Sequence, residues 1–457
     1  MTVMSTLLVK NSHTLVTMDE DRREIFGGSI FVRDIVIEQV GTTDELPKAA
    51  DEVLDLKSRH VVLPGLVNTH HHFFQTLTRA VPAAQNSDLF GWLQSLYPIW
   101  SNITSEGIYA SAQMAAAELI LSGCTTASDH LYLFPNDCTL DDEIRATRDI
   151  GIRFHASRGS MSVGESQGGL PPDSLVEKEP DILKDSQRLI EQYHDNSRHS
   201  MLRMVLAPCS PFTVSTDLMK ESAAMARAHP RVRLHTHLAE NKSDVDYSIE
   251  KFGLTPGDYA KSVGWLGEDV WHAHCVQLSD DAIGQFAKTG TGVAHCPCSN
   301  MRLASGIAPI RKMRSHGVPV GIGVDGAASN DASNLLQETR TAFLMARLRD
   351  CDAAAMTARE ALEIATLGGA RVLGRDDIGY LAPGMSADFI IYNIDAPAFV
   401  GSHHDVVAAL IFCQPTGVNY SFINGKKVVD QGHLTTVNLD KLIATCNQLA
   451  KSYVQVS

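Results

Sequence analysis

No stretch of this 457-residue chain approaches the roughly 18 consecutive apolar residues that suggest a membrane-spanning helix. Basic residues are outnumbered, with 39 Lys and Arg against 53 Asp and Glu and a formal charge of −14. A surface built to hold nucleic-acid phosphates needs the opposite balance. The opening residues, MTVMSTLLVK, contain no basic segment leading into an apolar core, so no secretory leader is expected. The nine cysteines are an odd set without framework spacing. A reducing, cytoplasmic location follows, with most thiols buried as small hydrophobes. Cys296 and Cys298 form a CxC without a second pair, and the Pro-Cys steps at 208–209 and 297–298 lack the second cysteine of a PCxxC zinc site. There is no internal repeat and no low-complexity segment. With 44% hydrophobic and 20% charged residues, what remains is an ordinary globular composition.

Two kinds of pattern divide the chain. Residues 1–60 and 376–433 read as short strands of period two, separated by Asp, Gly and Asn. Asn424-Gly425 is a hairpin signal, because a type I′ turn needs positive φ at both central residues. A small discontinuous β-sandwich built from both ends of the chain is therefore expected. Residues 61–375 alternate short apolar strands with amphipathic runs such as SEGIYASAQMAAAELILSG and DILKDSQRLIEQYHD. Eight strand candidates fall at 61–70, 124–130, 152–157, 203–210, 232–238, 270–275, 291–296 and 319–325. Such alternation predicts a parallel sheet with helical crossovers, and eight units fit a (β/α)₈ barrel better than an open sheet. Residues 434–457 read as a C-terminal helix, whose apolar face could serve a contact between copies.

Polar residues gather at the C-terminal ends of these strands. Strand one ends in His70, His71 and His72, strand five in His237 followed by Glu240, strand six in His274, strand seven in His295 and strand eight in Asp325. In a (β/α)₈ barrel these ends form one mouth. Alternation sends His70 and His72 to one side and His71 to the other. Two imidazoles, a third from strand five and a carboxylate from strand eight suit a borderline divalent metal. A GxGxxG match at 321–326 lies inside strand eight, not between a strand and a helix, so it is not read as a dinucleotide site.

The segments PGLVNTHHH, HTHLAE, AHC and GVDGAASND resemble the signature segments of the amidohydrolase superfamily, and within it the cytosine deaminase and chlorohydrolase-like branch. The resemblance runs over nearly the whole chain. It implies metal ligation by His70, His72, His237 and Asp325. It also implies a proton shuttle at Glu240, a water- or carbonyl-directed role for His274 and a general base at Asp325. Binuclear members carry a bridging lysine at the end of strand four, and residues 185–219 contain none. One divalent ion per chain is therefore implied, zinc or alternatively iron.

The segments around FFQTL, SGCTTASDHLYLFP, APCSPFTV and CPCSNMRLASG further resemble the 8-oxoguanine deaminases. The implied reaction is hydrolytic deamination of an oxidised purine. Isoxanthopterin, guanine and s-triazines such as hydroxyatrazine are the alternative substrates. Gln75 stands where guanine deaminases carry a glutamine on the purine edge. Cys209-Ser210 replaces their Arg-Phe pair. Further substrate candidates are Arg158 at the end of strand three and Trp92, Tyr97 and Trp100 after strand one. Asn330 and Asn334 are expected to brace the strand-eight loop, and His295 either to touch substrate or to fill a polar layer. The expected partners are a small-molecule substrate and further copies of the chain as a homodimer or higher homo-oligomer, with neither nucleic acid nor membrane.

Overall fold

The computed structural model describes residues 5–413 and 415–455. The expected terminal elements thus extend at 1–4 and 456–457 outside the described residues. Eight parallel strands close into a barrel. They are β1 (Leu66–Asn68), β2 (Cys124–Leu131), β3 (Arg153–Ser160), β4 (Leu202–Pro208), β5 (Arg233–Leu238), β6 (Val270–His274), β7 (Gly292–His295) and β8 (Val320–Ile322). Each matches one expected strand, and the polar ends come together at the C-terminal face. The two amphipathic runs form the helices Ser105–Leu121 and Glu179–Tyr193. The first begins at Thr104, whose side chain accepts from the Gly107 amide, a standard N-cap that satisfies one orphan donor.

Both ends of the chain build the flanking sheets. One sheet holds Thr6–Lys10, Gly28–Arg33, Val36–Thr42 and Glu52–Asp55. The other joins Thr14–Val16, Glu24–Phe26 and His60–Pro64 to Phe389–Asn393 and the strands that follow it. Leu7, Val9, Ile30, Val32, Phe389 and Phe422 belong to the shared core between them. The hairpin joins Tyr420–Ile423 to Lys426–Asp430. Asn424 and Gly425 both have positive φ, at 51° and 75°, as the turn requires.

One expected strand is really two. His60–Pro64 pairs antiparallel with Phe389–Asn393 in the terminal sheet, and only Leu66–Asn68 enters the barrel. Gly65 makes the break possible, since a Cβ there would stand 1.9 Å from Thr125 Oγ1. The C-terminal helix, Leu439–Gln455, lays Cys446 and Tyr453 on the helix Ser105–Leu121 of the same chain, with Cys446 Sγ donating to Ala110 O at 3.5 Å and Tyr453 Oη 3.0 Å from Thr104 Oγ1. That part of its face is therefore spent within the chain. All nine cysteines are free. Among the described residues no helix is long and apolar enough to cross a membrane.

Candidate metal centre and active site

Four imidazoles and one carboxylate converge at the C-terminal mouth. The ring centroid of His70 lies 4.7 Å from that of His72, 4.9 Å from His237 and 5.5 Å from His274. His72 Nε2 is 3.1 Å from His237 Nε2. Asp325 Oδ1 is 3.2 Å from His70 Nε2 and 3.3 Å from His72 Nε2. All of these side chains are buried.

The hydrogen bonds on the other side of each ring fix where the protons sit. His72 Nδ1 bonds the His130 carbonyl at 2.7 Å, and His237 Nδ1 bonds the Cys209 carbonyl at 2.6 Å. A carbonyl only accepts, so both Nδ1 atoms carry hydrogen. His235 Nδ1 donates likewise to Trp271 O at 3.0 Å. Its Nε2 is then the acceptor for His70 Nδ1 at 2.8 Å. The Nε2 atoms of His70, His72 and His237 are therefore bare lone pairs, turned toward each other and toward a carboxylate. Burial holds all three rings unprotonated, with His72 lowered to about 3 and His237 well below its ordinary value. Lone pairs so arranged repel one another unless a cation lies at their focus. The donor set of imidazole nitrogens and carboxylate oxygen fits a divalent metal. His70, His237, His274 and Asp325 each offer a ligand atom, and these atoms lie within 4.8 Å of one another.

The surroundings lock this arrangement. Asp325 sits at φ 63° and His274 at φ 70°, left-handed conformations that non-glycine residues adopt rarely and that cluster at functional sites. Gly326 N donates to Asp325 Oδ1 at 2.7 Å and Ser329 Oγ to Oδ2 at 3.1 Å. Burial pushes the Asp325 carboxyl up, but His70, His274 and His72 more than reverse this and hold it well below the usual range. Glu240 behaves oppositely, since burial raises it to about 7 with His274 opposing. Asp244 Oδ2 anchors the Glu240 amide at 2.9 Å. His274 Nδ1 bonds Asn300 Oδ1 at 2.9 Å, leaving Nε2 3.6 Å from Glu240 and 3.9 Å from Asp325. Burial works against protonating His274, and Glu240 and Asp325 overcome it, so its pKa is raised.

A cavity opens over the cluster. His72, His237, Glu240, His274 and Asp325 line it, together with Gln75, Tyr132, Cys209, Ser210 and Ser329, and its apolar wall includes Trp92, Tyr97, Phe212 and Leu303. Gln75 is fully buried, and its Nε2 is 3.4 Å from Tyr132 Oη while Oε1 has no partner. A Cβ on Gly326 would stand 1.8 Å from that Oε1, so glycine is what lets the amide reach its place. Trp92 spends its Nε1–H on Ala328 O at 3.1 Å and leaves its ring for the cavity. Burial raises the Cys209 thiol to about 12, which keeps it neutral.

Other expected residues fall elsewhere. Arg158 is not in the cavity. It shares strand parity with Phe154 and Ala156, which are part of the core, and it faces the surrounding helices rather than the barrel axis. Its guanidinium bonds Glu177 at 2.8 Å and Asp185 at 2.9 Å and lies 4.0 Å over the Phe134 ring. Replacing Arg158 with Ala is expected to cost about 1–3 kcal/mol of stability, the range for lost charged hydrogen bonds, while KM stays within twofold. Urea unfolding and steady-state kinetics check this. Trp100 also lies off the cavity, with Nε1 donating to Thr78 Oγ1 at 3.1 Å. His295 is buried and does not line the cavity, and burial lowers its pKa to about 3. Asn334 caps the helix Leu335–Asp350 and Asn330 Nδ2 bonds Val324 O at 2.6 Å, so both brace the strand-eight loop. His71 points away to Ser333.

His130 and His235 belong to the cluster and were not expected in it. His130 stacks on His237 with ring centroids 5.0 Å apart and stands with His70, His72 and His237 as a second possible ligand group. The signal was present in period two, since His235 has the parity of His237, and His130 ends strand two as His237 ends strand five.

A closed (β/α)₈ barrel with histidines and an aspartate converging at its C-terminal mouth defines a metal-dependent hydrolase. The chain belongs to the amidohydrolase family, whose pattern matches residues 61–428. It is 45% identical to an 8-oxoguanine deaminase of Pseudomonas aeruginosa, over 94% of this chain and 95% of that protein. It is 36% identical to a hydroxydechloroatrazine ethylaminohydrolase of Pseudomonas sp. strain ADP, over 94% of this chain and 92% of that protein. The crystal structure of an atrazine chlorohydrolase from Arthrobacter aurescens TC1, complexed with zinc, superposes with a TM-score of 0.93 at 32% identity, covering 97% of this chain and 100% of that one.

Proposed function

We propose that this protein is a mononuclear, zinc-dependent deaminase that converts 8-oxoguanine and water to uric acid and ammonia. The observation that carries the metal part is the meeting of unprotonated His70, His72 and His237 Nε2 atoms beside the Asp325 carboxylate. A single ion is supported by the absence of lysine at the end of strand four, where the chain reads Ala207-Pro208-Cys209-Ser210. Iron suits the same donors, and the zinc in the atrazine chlorohydrolase crystal structure favours zinc. A bound divalent cation supplies water whose pKa falls to about 7.

The chain's own residues divide the remaining work. Asp325, ionised at neutral pH, takes the proton from the attacking water. Glu240, with a pKa of about 7, is partly protonated at that pH and delivers a proton to a ring nitrogen of the substrate. His274 Nε2 lies between the two carboxylates and steadies the attacking water. Attack at the amino-bearing carbon then gives a tetrahedral centre. The proton held by Asp325 passes to the amino group, which leaves as ammonia, while the new hydroxyl becomes a carbonyl and returns its proton to Glu240. Positioned acids and bases of this kind contribute about 10²–10⁴-fold each.

The substrate reading draws on the 45% identity to the 8-oxoguanine deaminase and on the cavity. Its aromatic wall suits a planar ring, and the Gln75 amide offers both a donor and an acceptor to an N–C–NH₂ edge. The buried thiol of Cys209 is compact enough to lie against a substituted imidazole ring. The reading includes a cytoplasmic location, in keeping with nine free thiols. It also includes a homodimer or higher homo-oligomer, in keeping with the exposed apolar side chains of Leu344, Leu348 and Phe412.

An ammonia-release assay over 8-oxoguanine, guanine, isoxanthopterin and hydroxyatrazine tests the proposal. The expected order puts 8-oxoguanine first in kcat/KM. If guanine or isoxanthopterin exceeds it by more than tenfold, the substrate assignment is wrong.

A further inference from the structure

The opposite pole of the barrel has a concentration of positive charge that the reaction does not use. Arg153 opens β3, Arg233 opens β5 and Arg203 is the second residue of β4; parity places them on the same inward face as His155, Val205 and His235. Arg375, beyond the last barrel helix, joins them. Arg153 Nη1 and Arg375 Nη2 both bond Ser200 O, at 2.6 and 3.1 Å, and Arg203 Nε bonds Ser200 Oγ at 3.2 Å. Arg203 Nη1 bonds Gly374 O at 3.2 Å and Arg233 Nη2 bonds Val372 O at 3.1 Å.

Two of the four guanidinium groups have carboxylate partners. Asp388 takes Arg153 at 2.8 and 2.9 Å, and Asp377 takes Arg375 at 2.8 and 2.7 Å. Among the described residues, the side chains of Arg203 and Arg233 bond only carbonyl and hydroxyl oxygens. Asp377 and Asp376 act on Arg203, and Asp269 on Arg233, from farther off, but Asp377 is bonded to Arg375, Asp376 lies 3.5 Å from Arg198 and Asp269 lies 2.8 Å from Arg227. Glu268 is a further acidic neighbour of Arg233. Burial, reinforced by Arg375, lowers Arg203 to about 9, and burial lowers Arg233 to about 10.

His155 sits among these charges, feeling Arg375, Arg203, Arg233 and Asp377. It is 0% exposed, and among the described residues neither ring nitrogen has a partner. Arg375 Nη1 and Arg233 Nε are also buried and unbonded. Guanidinium nitrogens only donate, so the missing partner at this pole is an acceptor. A water would meet the hydrogen-bond need but not the charge. Val372, Leu373 and Ile378 pack against Val67, Val205, Trp271 and Ala294 of the barrel at this pole.

We infer that the N-terminal pole of the barrel binds one small inorganic anion, with chloride as its ordinary occupant, held by His155, Arg233 and Arg375 and balanced by Arg203. The anion neutralises the base on which the terminal sheets are anchored through Asp388 and Asp377. The site is independent of the metal centre and of the substrate assignment.

Bromide is the probe. Crystals of the full chain soaked in sodium bromide are expected to give an anomalous peak within about 3.5 Å of His155 and Arg375 nitrogens, the reach of a hydrogen bond to a large halide. In solution at constant ionic strength, replacing gluconate by chloride is expected to raise the Tm of the wild-type protein by about 1–3 °C through mass action. His155→Leu is expected to abolish that difference. Water-like density without an anomalous peak overturns the inference. So does a wild-type Tm that is equal in the two salts, because any bromide found would then be an adventitious ion only. The crystallographic arm needs no variant, so a poorly folding His155→Leu leaves the inference open to refutation.

Discussion

Asparagine in place of Asp325 is expected to lower kcat by about 10²–10⁴-fold, the range for a general base, with the fold unchanged. Asparagine keeps the size of the side chain and tolerates left-handed backbone well, and Asp325 sits at φ 63°. What is lost is the charge and the ability to take a proton. The Oδ1 atom lies 3.2 and 3.3 Å from the Nε2 atoms of His70 and His72. An amide NH₂ group turned there would compete for those lone pairs, while an amide oxygen turned there would bring no charge. Oδ2 accepts from Ser329 at 3.1 Å, so the amide orientation that presents oxygen to the histidines turns a donor toward Ser329, whose hydroxyl can rotate to accept. The measurements are kcat, KM, Tm and metal content by elemental analysis. Unchanged Tm with near-wild-type metal and a collapsed kcat assigns the loss to proton transfer. Full activity would remove Asp325 from the mechanism and with it the reaction proposed above.

Much of this site could be read from the chain because a barrel strand obeys one simple rule. Side chains alternate, strands run parallel, and their C-terminal ends share a face. The shared C-terminal face brings His70, His72, His237, His274 and Asp325 together across 255 residues of sequence, as the structure does, although His70, His72 and Asp325 lie just past the ends of β1 and β8. The same rule, applied further, would have added His235 and His130, and would have turned Arg158 outward to Glu177 and Asp185. It fails where strands are short or broken. Only Leu66–Asn68 enters the barrel from the first apolar run, because the chain changes sheets at Gly65. It also says nothing of cavity walls made by loops. Phe212, Leu303 and Ser329 meet in one cavity, yet each lies beyond the end of its strand, where alternation no longer applies. Gln75 falls between these cases, since its burial depends on Gly326 having no Cβ, a steric fact invisible in either residue alone.

Removing the Asp388 side chain is the change expected to cost the most stability. Arg153 enters the barrel base from β3, and Asp388 immediately precedes the terminal-sheet strand Phe389–Asn393. They form a two-point pair, Nε to Oδ2 at 2.8 Å and Nη2 to Oδ1 at 2.9 Å, with side chains 0% and 2% exposed. Asp388 Oδ1 also accepts from the Asn424 amide at 2.7 Å, and its carbonyl accepts from Gly65 at 3.1 Å. One residue thus ties the barrel, the hairpin and the point where the chain changes sheets. Asp388→Ala leaves a guanidinium in the interior without its counter-charge, and breaking such a pair costs about 3–5 kcal/mol. The pair's net worth is smaller, because both charges had to be desolvated to form it. Arg153→Met with Asp388→Leu should therefore recover most of the loss, and the double-mutant cycle reads the coupling directly. Urea unfolding should be followed by two probes, one for the terminal sheets and one for the barrel, since a chain of this size need not unfold in one step. The metal centre lies at the other end of the barrel, so kcat of the folded Asp388→Ala protein should match the wild type. A loss below about 1 kcal/mol, the worth of an exposed pair, would mean that water reaches Arg153 and that the terminal sheets are held to the barrel by apolar contact instead.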